Sequence, residues 1–195
     1  MNIEKLEKNL KDDMTINGIT HKRYYHSLGV AKATKELAII HNINIDLDKA
    51  YVSGLLHDAT KLIPLDIQKE MLYDLGFKDD DEIMKSHNVW HGITAPAYVI
   101  KKYEIIDDEI LDAIRYHVMG RPNMTILEKL VFIADYIEEN RVGKVFETAR
   151  EIAKDDLNKA VLYILESQIA YIKSRNEYLV SQTIKTYDYY KERVK

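Results

Sequence analysis

The stretch Leu55-Leu56-His57-Asp58-Ala59-Thr60-Lys61 puts an imidazole, a carboxylate and an ammonium group at the end of an apolar run. Adjacent side chains on a helix point about 100° apart, so His57 and Asp58 cannot share one helical face. They converge if the helix ends between them, or if their target lies in the angle between them. A metal ion is such a target. An isolated His-Asp pair is more commonly a helix end with a half-buried histidine and a solvated aspartate, so the other polar residues must decide.

His26 lies on the stripe Val30, Ala33, Leu37 and Ile40. His91 shares a face with Ala95 and Tyr98, and His117 ends the stripe Ile110, Ala113 and Ile114. Asp135 follows Leu127 and Val131 at steps of four. A carboxylate on an inward helical face needs a cation or several donors. With His57 and Asp58, these residues present inward imidazoles and carboxylates from five helices, which metal in a bundle core satisfies together. His21, His41 and His87 lack this placement; His41 sits at a helix C-terminus, where the dipole favours a cation. Cationic groups flank the set: Arg23 three residues before His26, Lys61 after the His-Asp pair, Arg121 in the loop after His117, and Arg141 after the Asp135 helix. Together they point to a polyanion, with phosphate the natural choice.

The elements that must position these groups are helical. Seven glycines and three prolines are too few for an all-β chain with many tight turns, and Leu, Ile, Lys, Glu and Ala recur at helical spacing. The expected helices cover 3–13, about 20–41 with Thr20 as N-cap, 48–58, 64–75 opened by Pro64 and closed by Gly76, 87–103, 107–117, and 125–140 with Thr125 and Glu128 as a capping box. Residues 145–154 and 155–192 follow, with a break near Ser174-Arg175-Asn176. Asn17-Gly18 is a breaker, and Lys78-Asp79-Asp80-Asp81-Glu82 is a solvated charge run. No repeat or linker divides the chain, so a single all-α domain over 1–195 is expected, with a metal-binding core at about 20–142 and C-terminal helices over 145–192 packed on it.

Composition narrows the chemistry. A chain of 195 residues with 46% hydrophobic and 31% charged residues is ordinary for a globular protein. The net charge of −4 argues against general nucleic-acid binding. There is no cysteine, so His and carboxylates must hold any metal, which suits iron, manganese, zinc or magnesium. Met1-Asn2-Ile3-Glu4-Lys5 is polar and no apolar run approaches spanning length, so neither a signal segment nor a membrane span is expected and a cytoplasmic location follows.

The order His26, His57-Asp58, His91, His117, Asp135 resembles the HD-domain metal-dependent phosphohydrolases. The finer match lies in Arg23-Tyr24-Tyr25-His26-Ser27-Leu28, Gly54 to Lys61, Ala113-Ile114-Arg115-Tyr116-His117 with Gly120-Arg121-Pro122, and Ala134-Asp135-Tyr136-Ile137-Glu138. These segments resemble the YqeK family, bacterial symmetrical bis(5′-nucleosyl)-tetraphosphatases, over about residues 20–142. The resemblance implies an HD helical bundle that cleaves a dinucleoside polyphosphate, diadenosine tetraphosphate, at its central bridge to give two ADP. By position it implies His26, His57, Asp58 and Asp135 as primary ligands of iron, in one or two ions, with manganese or another divalent metal as the substitute. It implies His91 and His117 as second-metal ligands or phosphate contacts, and Arg23, Lys61, Arg141 and Arg121 as phosphate neighbours. Val118, Thr183 and Tyr187 are the nucleotide-side candidates, and a homodimer is left open. Departures fall at Trp90 before His91, at Val118-Met119 before Gly120, and at Val180-Ser181-Gln182-Thr183, where the family often has His-Pro.

The expected chemistry needs no covalent intermediate: metal lowers the pKa of water from about 15.7 toward about 7. Asp58 is the expected shared ligand if two ions bind, with Asp58 and Lys61 as the catalytic pair. The alternatives are an HD nucleotidase or pyrophosphatase acting on another nucleotide, and a non-catalytic nucleotide-sensing module.

Overall fold

The computed structural model describes residues 2–194, so Met1 of the polar opening segment and Lys195 lie outside it. The chain runs α1 (Ile3–Asp13), β1 (Thr15–Ile16), β2 (Ile19–Thr20), α2 (Lys22–Ile40), α3 (Leu47–Leu56) and α4 (Leu65–Asp74). Two short 3₁₀ turns, Glu82–Lys85 and His87–Val89, lead into α5 (Trp90–Tyr103). Then come α6 (Asp108–Tyr116), α7 (Ile126–Ile137), α8 (Lys144–Asp155), α9 (Leu157–Ser174) and α10 (Ser181–Arg193).

The all-α expectation holds apart from one small hairpin. Asn17 and Gly18 take φ of 52° and 77°, the left-handed pair that closes a two-residue hairpin, so Thr15–Ile16 and Ile19–Thr20 pair antiparallel. Thr20 is thereby in a strand, and the N-cap of α2 is His21, whose Nδ1 accepts from Arg23 N at 3.1 Å. Pro64 likewise caps α4 instead of opening it. The expected 125–140 helix stops at Ile137, where Glu138 turns to ψ 155°. The Thr125 cap is half a capping box: Oγ1 accepts from Glu128 N at 3.3 Å, but the Glu128 side chain turns away to Arg121. The expected C-terminal break falls after Ser174, and α10 resumes at Ser181.

The buried stripe of α2 serves two cores. Tyr24 and Ala31 join Leu6, Leu10, Val52, Leu55, Val99, Ile110 and Ile114 on one side. Val30, Leu37 and Ala38 join Phe132, Ile133, Ala149, Ala160, Ile164 and Tyr190 on the other. The C-terminal helices are thus bound by the same apolar burial that packs α7. Helices α2 and α3 approach so closely at Gly54 that a Cβ there would stand 2.8 Å from Ala31 Cα and 2.9 Å from the Val30 carbonyl oxygen. This contact brings the start of α2, with His26, beside the end of α3, with His57. Among the described residues no helix is long and apolar enough to cross a membrane.

Candidate metal centre

The polar residues of five helices meet at one point. His26 comes from the first turns of α2, His91 from the start of α5, and Asp135 from the last turn of α7. His57 and His117 are the C-cap residues of α3 and α6, and Asp58 follows directly in the turn after α3. Helix α3 therefore ends at Leu56, and the tight turn after it aims His57 and Asp58 at one centre.

Asp58 is 2% exposed, and its two oxygens face different partners. Oδ2 lies 3.4 Å from His57 Nε2 and 3.7 Å from His26 Nε2, while Oδ1 lies 3.3 Å from His91 Nε2 and 3.8 Å from His117 Nε2. Asp135 Oδ1 stands 3.0 Å from His26 Nε2 and 3.7 Å from His57 Nε2. Three overlapping ligand groups result: His26-His57-Asp58, His57-His117-Asp135 and Asp58-His91-His117, the atoms of each within 4.8 Å of one another.

Tautomers are set from outside the cluster. His57 Nδ1 donates to the Gly54 carbonyl at 2.7 Å and His117 Nδ1 to the Ile114 carbonyl at 2.6 Å, since a carbonyl can only accept. Each neutral ring then presents the Nε2 lone pair inward, the arrangement that metal-binding histidines use. Among the described residues, the buried Nε2 atoms of His26 and His57 have no hydrogen-bond partner. Buried polar atoms are normally satisfied, so two such orphans facing two carboxylates fit a cation. With no sulfur in the set, the donors suit a divalent metal of the iron, manganese or zinc type.

The surroundings are cationic on one side. Arg23 Nη1 donates to Asp58 Oδ2 at 2.9 Å, Arg141 Nη2 to Asp135 Oδ1 at 3.3 Å, and Lys61 Nζ lies 3.1 Å from His91 Nδ1. Burial alone would raise the pKa of Asp58, but His57, His91 and Arg23 outweigh it and hold the carboxyl well below its usual range. Asp135 is lowered in the same way, burial being overcome by His26 and His57. Burial opposes charge on His57, yet Asp58 and Asp135 raise its pKa above 6.5. Burial drives His91 well below that value, and burial with the neighbouring His57 brings His117 down to about 4. Burial also lowers Lys61, with Asp58 opposing.

The remaining expected residues fall in three places. Val118 packs against Gly92 at the edge of the cluster, and with Thr183 it lines a groove of about 150 Å³ that also takes in Ser86, Asn88, Tyr171 and Tyr178. Tyr187 lines a separate groove with Ile169, Lys173 and Ile184. Arg121 is turned inward: Nε donates to Glu128 Oε2 at 2.8 Å, Nη2 pairs with Asp112 at 3.3 Å, and the guanidinium lies over the Tyr116 ring. Sequence reasoning missed Glu138, whose Oε1 is 3.1 Å from His26 Nδ1, and the buried pair Thr60 and Thr94 that ties the turn after Asp58 to α5. Glu138 follows Asp135 by three inside the expected 125–140 helix, so the same stripe was the signal for it, although α7 ends at Ile137 and the side chain reaches His26 from beyond the helix end.

The HD domain profile matches residues 23–140, and the chain belongs to that family of metal-dependent hydrolases. It is 33% identical over 173 residues to the symmetrical bis(5′-nucleosyl)-tetraphosphatase of Bacillus subtilis, covering 88% of this chain and 90% of the relative. The Staphylococcus aureus enzyme of the same description is 34% identical, covering 100% and 99%. A crystal structure from Clostridium acetobutylicum, described as a predicted HD superfamily hydrolase involved in NAD metabolism, superposes with a TM-score of 0.89 at 34% identity, over 99% of this chain and 98% of that one. Within the HD domain proteins, this chain is a member of the symmetrical bis(5′-nucleosyl)-tetraphosphatase family.

Proposed function

We propose that this chain hydrolyses dinucleoside tetraphosphates, diadenosine tetraphosphate above all, at the central bridge to give two ADP. The observation that carries the reading is the pair of unpartnered Nε2 atoms on His26 and His57, facing Asp58 and Asp135 beside Arg23, Lys61 and Arg141. The names of the relatives support the substrate class.

His26, His57, Asp58 and Asp135 would hold the primary ion, iron in this proposal, with His91 and His117 completing a second set through the other oxygen of Asp58. The metal supplies water activation and neutralisation of phosphate charge when bound. Arg23 and Lys61 stand where cations can take up negative charge on the attacked phosphate and the departing ADP. Burial of Lys61 strengthens that attraction, because little water screens it. The groove lined by Val118 and Thr183 receives one nucleoside half; its tyrosines offer stacking faces and its Ser86 and Asn88 offer polar contacts.

Chromatography of the products from diadenosine tetraphosphate tests the proposal. ADP as the sole product is expected from metal-loaded protein. ATP with AMP would mean asymmetric cleavage, and metal-loaded protein with no turnover would indicate a binding module.

A further inference from the structure

We propose that Glu138 and Arg150 form a latch behind the metal cluster, two positioning residues that set the orientation of His26 and hold the end of α7. The inference rests on the metal reading above. Glu138 leaves the helix with φ −53° and ψ 155°, and its side chain turns inward until it is 2% exposed. Oε1 meets His26 Nδ1 at 3.1 Å, while Oε2 accepts from Asn140 N at 2.7 Å and Asn140 Nδ2 at 2.9 Å. An ionised carboxylate only accepts, so Nδ1 of His26 carries the ring proton and Nε2 is left with its lone pair toward Asp58 and Asp135.

Two further residues serve this contact. Gly29 lies one turn beyond His26 on α2, and a Cβ there would stand 2.7 Å from Glu138 Oε2, so the missing side chain makes room for the carboxylate. Arg150 reaches from α8 to the carbonyls at the end of α7: Nε donates to Ile137 O at 2.7 Å, and Nη2 donates to Glu138 O at 2.7 Å and Arg141 O at 2.6 Å. These carbonyls lie at and beyond a helix C-terminus, where a cation is favoured and acceptors lack intrahelical partners. The clamped segment carries Glu138 to His26 and Arg141 to Asp135. The C-terminal helices thereby reach the metal site through Arg150.

Co2+ titration of metal-free protein, followed by visible absorption, tests the latch, with far-UV circular dichroism in chelator reporting the fold. Glu138→Ala and Arg150→Ala are each expected to weaken Co2+ binding about 10–100-fold, the usual cost of removing such a support, and to change the absorption spectrum. Glu138→Gln recovers most of the affinity, because its amide oxygen still accepts from His26. The double alanine variant is expected to be hardly weaker than the worse single one, since both act on one segment. Gly29→Ala, which leaves every charge in place and favours the helix, is expected to lose at least about tenfold for the same reason. This variant decides the matter if Glu138→Ala does not fold. Native affinity and spectrum in folded Glu138→Ala or Gly29→Ala, or losses that multiply in the double variant, overturn the latch. Native protein that takes up no Co2+ overturns the metal reading beneath it instead.

Discussion

Replacing Gly54 with alanine perturbs the metal site through packing alone. The added methyl would lie 2.8 Å from Ala31 Cα and 2.9 Å from the Val30 carbonyl oxygen, both backbone atoms that no rotamer can move. Reaching ordinary contact at 3.4 Å requires α3 to withdraw from α2 by about 0.6 Å. Overpacking of this kind costs about 1–3 kcal/mol, with backbone contacts at the upper end, and the helix preference of Ala over Gly returns up to about 1 kcal/mol. A net loss of about 2 kcal/mol leaves a protein with a typical 5–15 kcal/mol of stability folded. The same shift separates His26 on α2 from His57 and Asp58 at the end of α3, and a displacement approaching 1 Å can cost about 10²-fold in rate. Urea denaturation of the metal-free protein, Co2+ titration and turnover should therefore show a modest stability loss with a large loss of metal affinity and rate. A Gly54→Ala protein with native metal affinity and rate would refute the claim that the α2–α3 approach sets the cluster.

Asp58→Ala should abolish both metal content and turnover, whereas Lys61→Ala should keep its metal and lose about 10²–10³-fold in kcat, as for removal of one charge-stabilising donor; metal analysis alongside kinetics separates the two. Burial opposes charge on His57, but Asp58 and Asp135 raise its pKa, so this ring holds a proton to higher pH than an ordinary imidazole, while burial lowers His91 and His117. Metal uptake below pH 6.5, where an imidazole of raised pKa is mostly protonated, should therefore release protons, with affinity rising with pH through the His57 titration and levelling above it. Calorimetry in buffers of different ionisation enthalpy measures this directly, and zero proton release would contradict it. Arg121→Ala strands a Glu128 that is 1% exposed, so stability should fall toward the low end of about 3–5 kcal/mol, the guanidinium itself being partly exposed, with metal affinity unchanged. Unchanged stability with a raised KM would instead make Arg121 the phosphate contact that its position after His117 suggests.

Four of the six residues that meet at the centre could be read from the chain, because a His or Asp recurring on an apolar helical stripe is an inward polar group whatever it packs against. His26, His91, His117 and Asp135 were legible for that reason, and so was the break between α9 and α10. His57 and Asp58 were only a pair at a helix end until the stripes of the other helices gave them company. What periodicity cannot carry came only from the packing of the helices. Periodicity tells which face is buried and is silent on what lies opposite, so the choice of Arg121 for Glu128 and the separation of Tyr187 from the Val118 groove could not be read in advance. The end of α7 was also misplaced, since the expected helix ran to residue 140 and the structure stops it at Ile137. Glu138 reaches His26 across 112 residues only because α7 stops one residue earlier and Arg150 holds its carbonyls. The inward polar residues were therefore visible in the chain, while the contacts that aim them exist only once the helices have packed.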